Sequence, residues 1–165
     1  MTTIKKKSPF NREAQQNRKR QAILDIAARL FNTKGARATT LVDIAKRLNL
    51  TKTSLYYYVK TKEELVYLCY NKSIERLHQI IDEAEENANT PLSTLDAITD
   101  TYFAYWLDVE KGREPATALL AEIHSLKDNH RKEISDAYRG VFTRIQSHIE
   151  SGVKDGTIMA RNPLA

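Results

Sequence analysis

The chain has 165 residues, of which 26 are Lys or Arg and 21 are Asp or Glu, and its formal net charge at pH 7 is +5. Its single cysteine excludes an internal disulfide and a multi-cysteine zinc site, and its five separated glycines form no glycine-rich phosphate loop. The apolar runs are too short to span a bilayer, and the N-terminus lacks the apolar core of a signal peptide. We therefore expect a cytoplasmic protein that is not an enzyme and holds no metal or cofactor.

Charge is distributed unevenly along the chain. Residues 1–62 contain 15 of the 26 basic residues and 3 of the 21 acidic residues, which gives this segment +12, and the remainder carries −7. Such a distribution is typical of a polyanion-binding module followed by a second module with another task. Residues 1–15, which include the run Lys5–Lys7, are predicted to form a basic arm that is disordered and solvated, or that lies in a minor groove of DNA.

The first predicted helix has one apolar stripe. Its apolar residues recur at i, i+3, i+4, i+7 and i+8, namely Ile23, Ile26, Ala27, Leu30 and Phe31. Gly35 is the only glycine before position 112 and is predicted to end this helix. Thr40 is predicted to cap a second helix, because Asp43 stands three residues later, where a carboxylate suits the positive helix end.

The third predicted helix presents polar and aromatic residues outward. Asn49 tolerates the left-handed backbone of a tight turn, and Thr51 is a suitable N-cap after it. With Leu55 and Val59 facing inward, the outward residues are Lys52, Thr53, Ser54, Tyr57 and Tyr58. Short hydroxyls and a lysine at a helix start can contact base edges in the major groove, and tyrosine hydroxyls can donate to phosphates.

A solvated helix of an ordinary bundle is the alternative interpretation of this segment. Three adjacent tyrosines, Tyr56–Tyr58, favour DNA binding, because a helix cannot bury all three and exposed aromatic residues in a row usually have a partner. The three helices are predicted to share a small core, made of Leu30, Phe31, Ile44, Leu48, Leu50 and Leu55.

The rest of the chain is predicted to be helical. Thr61 and Glu64 have the spacing of a capping box, so a fourth helix is predicted to begin there and to continue to the break at residues 87–91. Further helices are predicted near residues 91–110, 114–127 and 130–151. Their core is expected to include Leu95, Ile98, Tyr102, Phe103, Trp106, Leu119, Leu120, Ile123, Ile134, Tyr138, Val141, Phe142, Ile145 and Ile149. These residues fit a solid bundle as well as one with a ligand cavity.

Taken together, these motifs resemble the DNA-binding region of the TetR/AcrR transcriptional regulators. The matching positions are, in order, Ala27–Phe31, Gly35, Thr39–Thr40, Ile44–Ala45, Leu48–Leu50, Leu55–Val59 and Lys62–Leu65. The resemblance implies an all-α fold, in which a three-helix head with a helix-turn-helix is joined by a long helix to an α-helical regulatory domain. It also implies that this long helix is a lever between the ligand pocket and the head.

The resemblance assigns DNA contacts residue by residue. It implies that Thr40 and Lys62 contact phosphates and that Lys52, Thr53 and Ser54 face the bases. It further implies that Tyr56 and Tyr58 bracket the DNA backbone and that Tyr57 lies near bases or thymine methyls. Two residues depart from the family pattern, since Asn49 replaces a glycine common in the turn and Thr53 stands where glycine or proline is common. The second departure is expected to affect operator preference.

For the whole chain, the resemblance implies a ligand-responsive repressor that binds a palindromic operator as a homodimer. It divides the chain into the arm, a helix-turn-helix domain at 16–76 and a regulatory domain at 77–165. An effector of apolar character is expected, with a pocket lined by Tyr102, Trp106, His124 and Tyr138. The last two helices usual in the family are missing after Asn162-Pro163, a pair that suits a helix start, so we expect a fragment or a different dimer contact.

Two other functions are compatible with the composition. The first is a helical interaction module whose basic head binds an acidic protein or a membrane surface rather than operator DNA. The second is a small-molecule-binding or catalytic α-helical domain. Neither explains the three adjacent tyrosines.

Overall fold

The computed structural model describes residues 9–118 and 120–159. Every regular element in this part of the chain is a helix, which confirms the predicted all-α fold. The elements are α1 (Pro9–Lys34), α2 (Leu41–Arg47), α3 (Lys52–Tyr56), α4 (Lys62–Asn87), α5 (Pro91–Glu110), a 3₁₀ helix (Leu120–Ser125) and α6 (Asp128–Asp155). None of the helices within these described ranges is both long enough and apolar enough to cross a membrane.

The chain forms two compact units. Among the described residues, the first unit contains those from Pro9 to Cys69 and those within Ala116–Ser125, and the second contains Tyr70–Pro115 and those from Leu126 to Met159. Helix α4 contributes residues to both units. The sequence predicted a boundary at residue 76, with all of 77–165 in the second part. The structure differs from this prediction because Ala116–Ser125 belongs to the first unit.

The helix ends of the first unit follow local sequence signals. Gly35 has a φ of 81° and its N–H donates to the Phe31 carbonyl at 2.9 Å, which ends α1 as predicted. Asn49 has a φ of 53°, the left-handed conformation predicted for the turn between α2 and α3. The backbone N–H of Thr40 and its side chain both bond Asp43, which confirms Thr40 as the N-cap of α2 and completes a capping box.

The cap of α4 differs in part from its prediction. Thr61 Oγ1 accepts the Glu64 N–H at 3.0 Å, as a capping box requires. The Glu64 carboxylate instead accepts the backbone N–H of Lys60 at 2.7 Å, one residue earlier than the predicted partner. The Glu64 carboxylate therefore holds the backbone of Lys60, which precedes the start of α4.

The core of the first unit is built from α1, α2, α3 and the first turns of α4. Phe31, Ile44 and Leu55 are buried as predicted, whereas the predicted core residues Leu30, Leu48 and Leu50 are half-buried. Further buried residues of this core are Ile23, Leu24, Ala27, Ala28, Leu41, Val59, Leu65 and Val66. Helix α2 packs against the long helix α1 and against α3, and α4 supplies further buried residues.

Cys69, on α4, is also buried in the first unit. Its side chain is 1% exposed, and its thiol donates to the Leu24 carbonyl with an Sγ–O distance of 3.7 Å. Burial raises the pKa of the Cys69 thiol to about 12. The Cys69 thiol is therefore part of the apolar core of the first unit and stays protonated at neutral pH.

The predicted helix at 114–127 is wrong as an α-helix. Residues 115–118 are not helical, and a 3₁₀ helix follows at Leu120–Ser125. The Ala116 N–H donates to the Asp25 carboxylate at 2.6 Å, and the Asn32 side-chain amide donates to the Thr117 carbonyl at 2.8 Å. These bonds from α1 occupy the backbone groups that a helix would have used.

Two helices are longer than predicted. Helix α1 begins at Pro9, so residues 9–15 of the predicted arm are helical, while Lys5–Lys7 lie outside the described residues. Helix α6 extends to Asp155 and ends where Gly156 adopts a φ of 81°.

The second unit packs parts of α4, α5 and α6. Ile134, Tyr138 and Val141 are buried as predicted. Three residues predicted in this core are instead exposed: Phe103 (62%), Phe142 (58%) and Ile149 (43%). A surface helix buries only one side, and some apolar residues of α5 and α6 lie outside that buried side.

A polar network links α4 and α6 inside the second unit. The Arg144 guanidinium donates to Asp82 at 2.7 Å and to Glu85 at 2.6 Å, and His148 Nε2 lies 2.9 Å from the other Glu85 oxygen. Hydrogen bonds from His148 and Arg144 lower the pKa of the Glu85 carboxyl. These surface contacts hold α6 in one position along α4.

Candidate nucleic-acid interface

Helices α2 and α3 are joined by the four residues Leu48–Thr51, and α3 is oriented by its buried residues. Leu55 is fully buried and Val59 is 2% exposed. Lys52, Thr53 and Ser54 are exposed, as the spacing predicted. The first turn of α3 therefore presents one ammonium and two hydroxyls to solvent.

Ser54 has a second task that the sequence pattern did not reveal. Thr51 Oγ1 accepts the Ser54 N–H at 3.1 Å, which confirms Thr51 as the N-cap of α3. The Thr51 and Ser54 hydroxyl oxygens also lie 2.8 Å apart. The Ser54 hydroxyl is thus hydrogen-bonded to the cap residue at the exposed start of α3.

The three adjacent tyrosines differ in exposure. Tyr57 is 72% exposed and Tyr56 is 41% exposed, whereas Tyr58 is half-buried and packs edge-on against Tyr57 with ring centroids 5.2 Å apart. The Lys52 Nζ atom lies 5.7 Å from the centroid of the Tyr56 ring, a cation–π distance. Two tyrosines and the lysine therefore share the exposed side of α3, and Tyr58 supports them.

Thr40 lies at the positive end of α2. Its side chain is exposed, and its hydroxyl donates to the Asp43 carboxylate at 2.7 Å. The hydrogen bonds from the Thr40 side chain and backbone lower the pKa of the Asp43 carboxyl. The cap orders the start of α2 and holds the exposed Thr40 side chain against Asp43.

Lys62 is bound within the protein. The residue is half-buried, and its Nζ atom donates to the Ala36 carbonyl at 2.9 Å and lies 3.4 Å from the Arg37 carbonyl. These carbonyls belong to the segment between α1 and α2. The ammonium of Lys62 therefore ties the start of α4 to that segment, a role in addition to the predicted phosphate contact.

Replacing Lys62 with methionine is expected to lower the free energy of unfolding by about 1–3 kcal/mol, because the carbonyls lose a charged donor. Lys60→Met is the matched control, since Lys60 is an exposed lysine two residues away. Urea unfolding followed by circular dichroism gives both values. Equal midpoints for the Lys62→Met variant and the parent protein would contradict the structural role.

The predicted effector-binding residues separate into two sets. Tyr102, Trp106 and Tyr138 lie in the second unit, where the Tyr102 and Trp106 ring centroids are 6.3 Å apart. Burial raises the pKa of Tyr138 to about 12, and its hydroxyl shares a hydrogen bond with Ser73. His124 is exposed on the 3₁₀ helix of the first unit, and its role in effector binding stays a prediction.

Two residues near these sites were missed by the sequence analysis. Gln16 donates from Nε2 to the Tyr57 hydroxyl at 3.2 Å, and the Arg76 guanidinium lies 5.0 Å from the centroid of the Tyr105 ring in the second unit. Gln16 could have been found, because it precedes Ile23 by seven residues and so continues the apolar stripe of α1 toward the N-terminus. No local pattern indicates the contact of Arg76.

The capped α2, the left-handed turn residue and the buried Leu55 define a helix-turn-helix protein with an exposed second helix. The family model described as "Bacterial regulatory proteins, tetR family" matches residues 23–67. The chain is 33% identical over 128 residues to the biofilm operon icaADBC HTH-type negative transcriptional regulator IcaR of Staphylococcus aureus strain Newman, covering 70% of this chain and 67% of the relative. The chain therefore belongs to the TetR family of bacterial regulatory proteins.

Two further comparisons agree with this assignment. The regulator of the same name from Staphylococcus epidermidis is 31% identical over 128 residues, covering 77% of this chain, and the chain spans only 65% of that relative's length. The crystal structure of the TetR family transcriptional regulator PfmR from Thermus thermophilus superposes with a TM-score of 0.67 at 26% identity, covering 85% of this chain and 75% of the other.

Proposed function

We propose that the protein is a sequence-specific transcriptional repressor that binds a palindromic operator. The observation that carries the proposal is the exposed side of α3, on a basic unit, with Lys52, Thr53, Ser54 and Tyr57 in solvent. A helix with a cation and hydroxyls in its first turn fits the major groove, where base edges present distinct donors and acceptors. The names of the staphylococcal relatives, which are negative transcriptional regulators, support repression.

The residues of this surface have different proposed roles. Lys52, Thr53 and Ser54 contact base edges, and Tyr57 contacts bases or thymine methyls. Tyr56 and Tyr58 donate to the DNA backbone from either side of Tyr57. Thr40 and Lys62 contact phosphates, and Lys62 does so with the ammonium hydrogen that its two carbonyl partners leave available.

Dimerisation and effector response are part of the proposal. Two heads on half-sites about one helical turn apart supply the affinity that a single small module lacks. An effector with apolar character binds the second unit near Tyr102, Trp106 and Tyr138, and α4 carries the response because it contributes to both units. In this role the protein works in the cytoplasm, needs no cofactor and catalyses no reaction.

Selection of duplexes from a randomised DNA library tests the proposal. The 165-residue chain is expected to enrich an inverted repeat with half-sites about one helical turn apart. A scrambled duplex of the same length should compete at least about a thousandfold less well at physiological salt. Equal competition by the scrambled duplex, with no enriched sequence, would overturn operator recognition and favour a basic module for an acidic protein.

A further inference from the structure

A stretch of α1, residues 13–22, lies outside the core of the first unit. Residues 13–22 of α1 are all exposed, and Ile23 is the buried residue that follows them. At 1.5 Å per residue, residues 13–22 extend about 15 Å along the axis of α1. A helical stretch of this length gains little from burial within the unit, so its cost in conformational entropy is not offset there.

This segment is basic. Between residues 13 and 22 it carries Arg18, Lys19 and Arg20 against the single acid Glu13. Three cations in succession give this stretch of helix a positive local potential, which attracts an anionic partner. The segment is therefore electrostatically suited to a polyanion.

The segment is also attached to the proposed recognition helix. Gln16 donates to the hydroxyl of Tyr57, the most exposed of the three tyrosines. At about 100° per residue, Arg20 lies about 40° around the helix axis from Gln16, and Lys19 lies about 60° on the other side. Arg18 lies about 200° away, on the opposite side of α1.

We infer that the side of α1 carrying Gln16, Lys19 and Arg20 is a second DNA-contacting surface, which binds backbone phosphates beside the base pairs read by α3. The inference rests on the proposed function, because it places this surface next to a helix in the major groove. Lys19 and Arg20 bind phosphates, which position the protein without reading sequence. Gln16 is a positioning residue that holds the Tyr57 hydroxyl and sets the distance between the two surfaces.

The salt dependence of DNA binding tests the inference with a matched control. Lys19→Gln and Arg20→Gln are each expected to reduce the slope of log K against log salt by about 0.9, and the double variant by about twice that. Arg18→Gln removes the same charge from the opposite side and should leave the slope nearly unchanged. The probes are the duplex enriched by selection and a scrambled duplex, and both should show the reduction.

The outcomes separate this inference from the proposed function. If the parent protein prefers the selected duplex while Arg20→Gln and Arg18→Gln give equal slopes, the α1 surface is wrong and the repressor proposal stands. If the parent protein binds the selected and scrambled duplexes equally well, the proposed repressor function is wrong, whatever the slopes of the variants are. Circular dichroism of each variant reports folding, and the substituted side chains lie outside the core, so parent-like helix content is expected.

The hydrogen bond from Gln16 has its own readout. Gln16→Ala is expected to relax the sequence preference contributed by Tyr57 while keeping the salt slope of the parent protein, because glutamine carries no charge. In a Tyr57→Phe background the same change should have no further effect, since the hydroxyl that Gln16 binds is already absent. An equal effect of Gln16→Ala in both backgrounds would show that Gln16 does not act through Tyr57.

Discussion

Replacing Ile44 with alanine is expected to lower the free energy of unfolding of the first unit by about 2–5 kcal/mol. The Ile44 side chain is fully buried on α2, between the buried residues Leu41 and Ala45. Truncation removes buried methyl groups and leaves a cavity that the short helix cannot close. A whole domain has a free energy of unfolding of about 5–15 kcal/mol, so this loss removes a large share of the stability of the first unit. DNA binding should weaken as well, because a smaller fraction of the protein is then folded.

Val42→Ala is the matched control for this experiment. Val42 lies on the same helix and is 39% exposed, so its truncation should change the free energy of unfolding by less than about 0.5 kcal/mol. Urea titration gives both values, and hydrogen exchange of the α1–α3 amides shows where the loss occurs. Similar losses for the two variants would mean that α2 does not pack through Ile44.

Lys52→Ala is expected to weaken binding to the selected duplex by about 10- to 100-fold, since a good lysine–guanine pair contributes about 1–3 kcal/mol of discrimination. Binding to a scrambled duplex should fall much less, because there the lysine has no matched base edge. A repeated selection with the variant should show relaxed preference at one position of each half-site.

Lys111→Ala controls for the loss of a positive charge. Lys111 is an exposed residue after α5 in the second unit, so its removal alters net charge without touching α3. Competition binding at fixed salt measures both variants on both duplexes. An equal decline of the Lys52→Ala variant on selected and scrambled DNA would identify Lys52 as a phosphate contact instead of a base contact.

The ends of the first helices could be predicted because the chain encodes them within four residues. Thr40 with Asp43, Thr51 with Ser54, and the left-handed Asn49 each act through a neighbour along the chain. The inward direction of Leu55 follows from helical spacing in the same way. These local features also fixed which residues α3 exposes, so most of the candidate site could be predicted from the sequence.

Features that depend on distant residues could not be predicted. The non-helical segment before the 3₁₀ helix is held by Asp25 and Asn32, which lie 91 and 85 residues away from their partners along the chain. The carbonyl partner of Lys62 is 26 residues away, so the sequence suggested only its charge. Half-burial of Tyr58 likewise depends on packing that a helical pattern does not specify.

Burial of Cys69 has a practical consequence for following the protein in solution. A thiol protonated at neutral pH reacts slowly with maleimides and iodoacetamides, which attack the thiolate form. Since the sequence has no other cysteine, a cysteine introduced at an exposed position would be the only site that takes a fluorophore or spin label. The native sulfur can remain in place during such labelling.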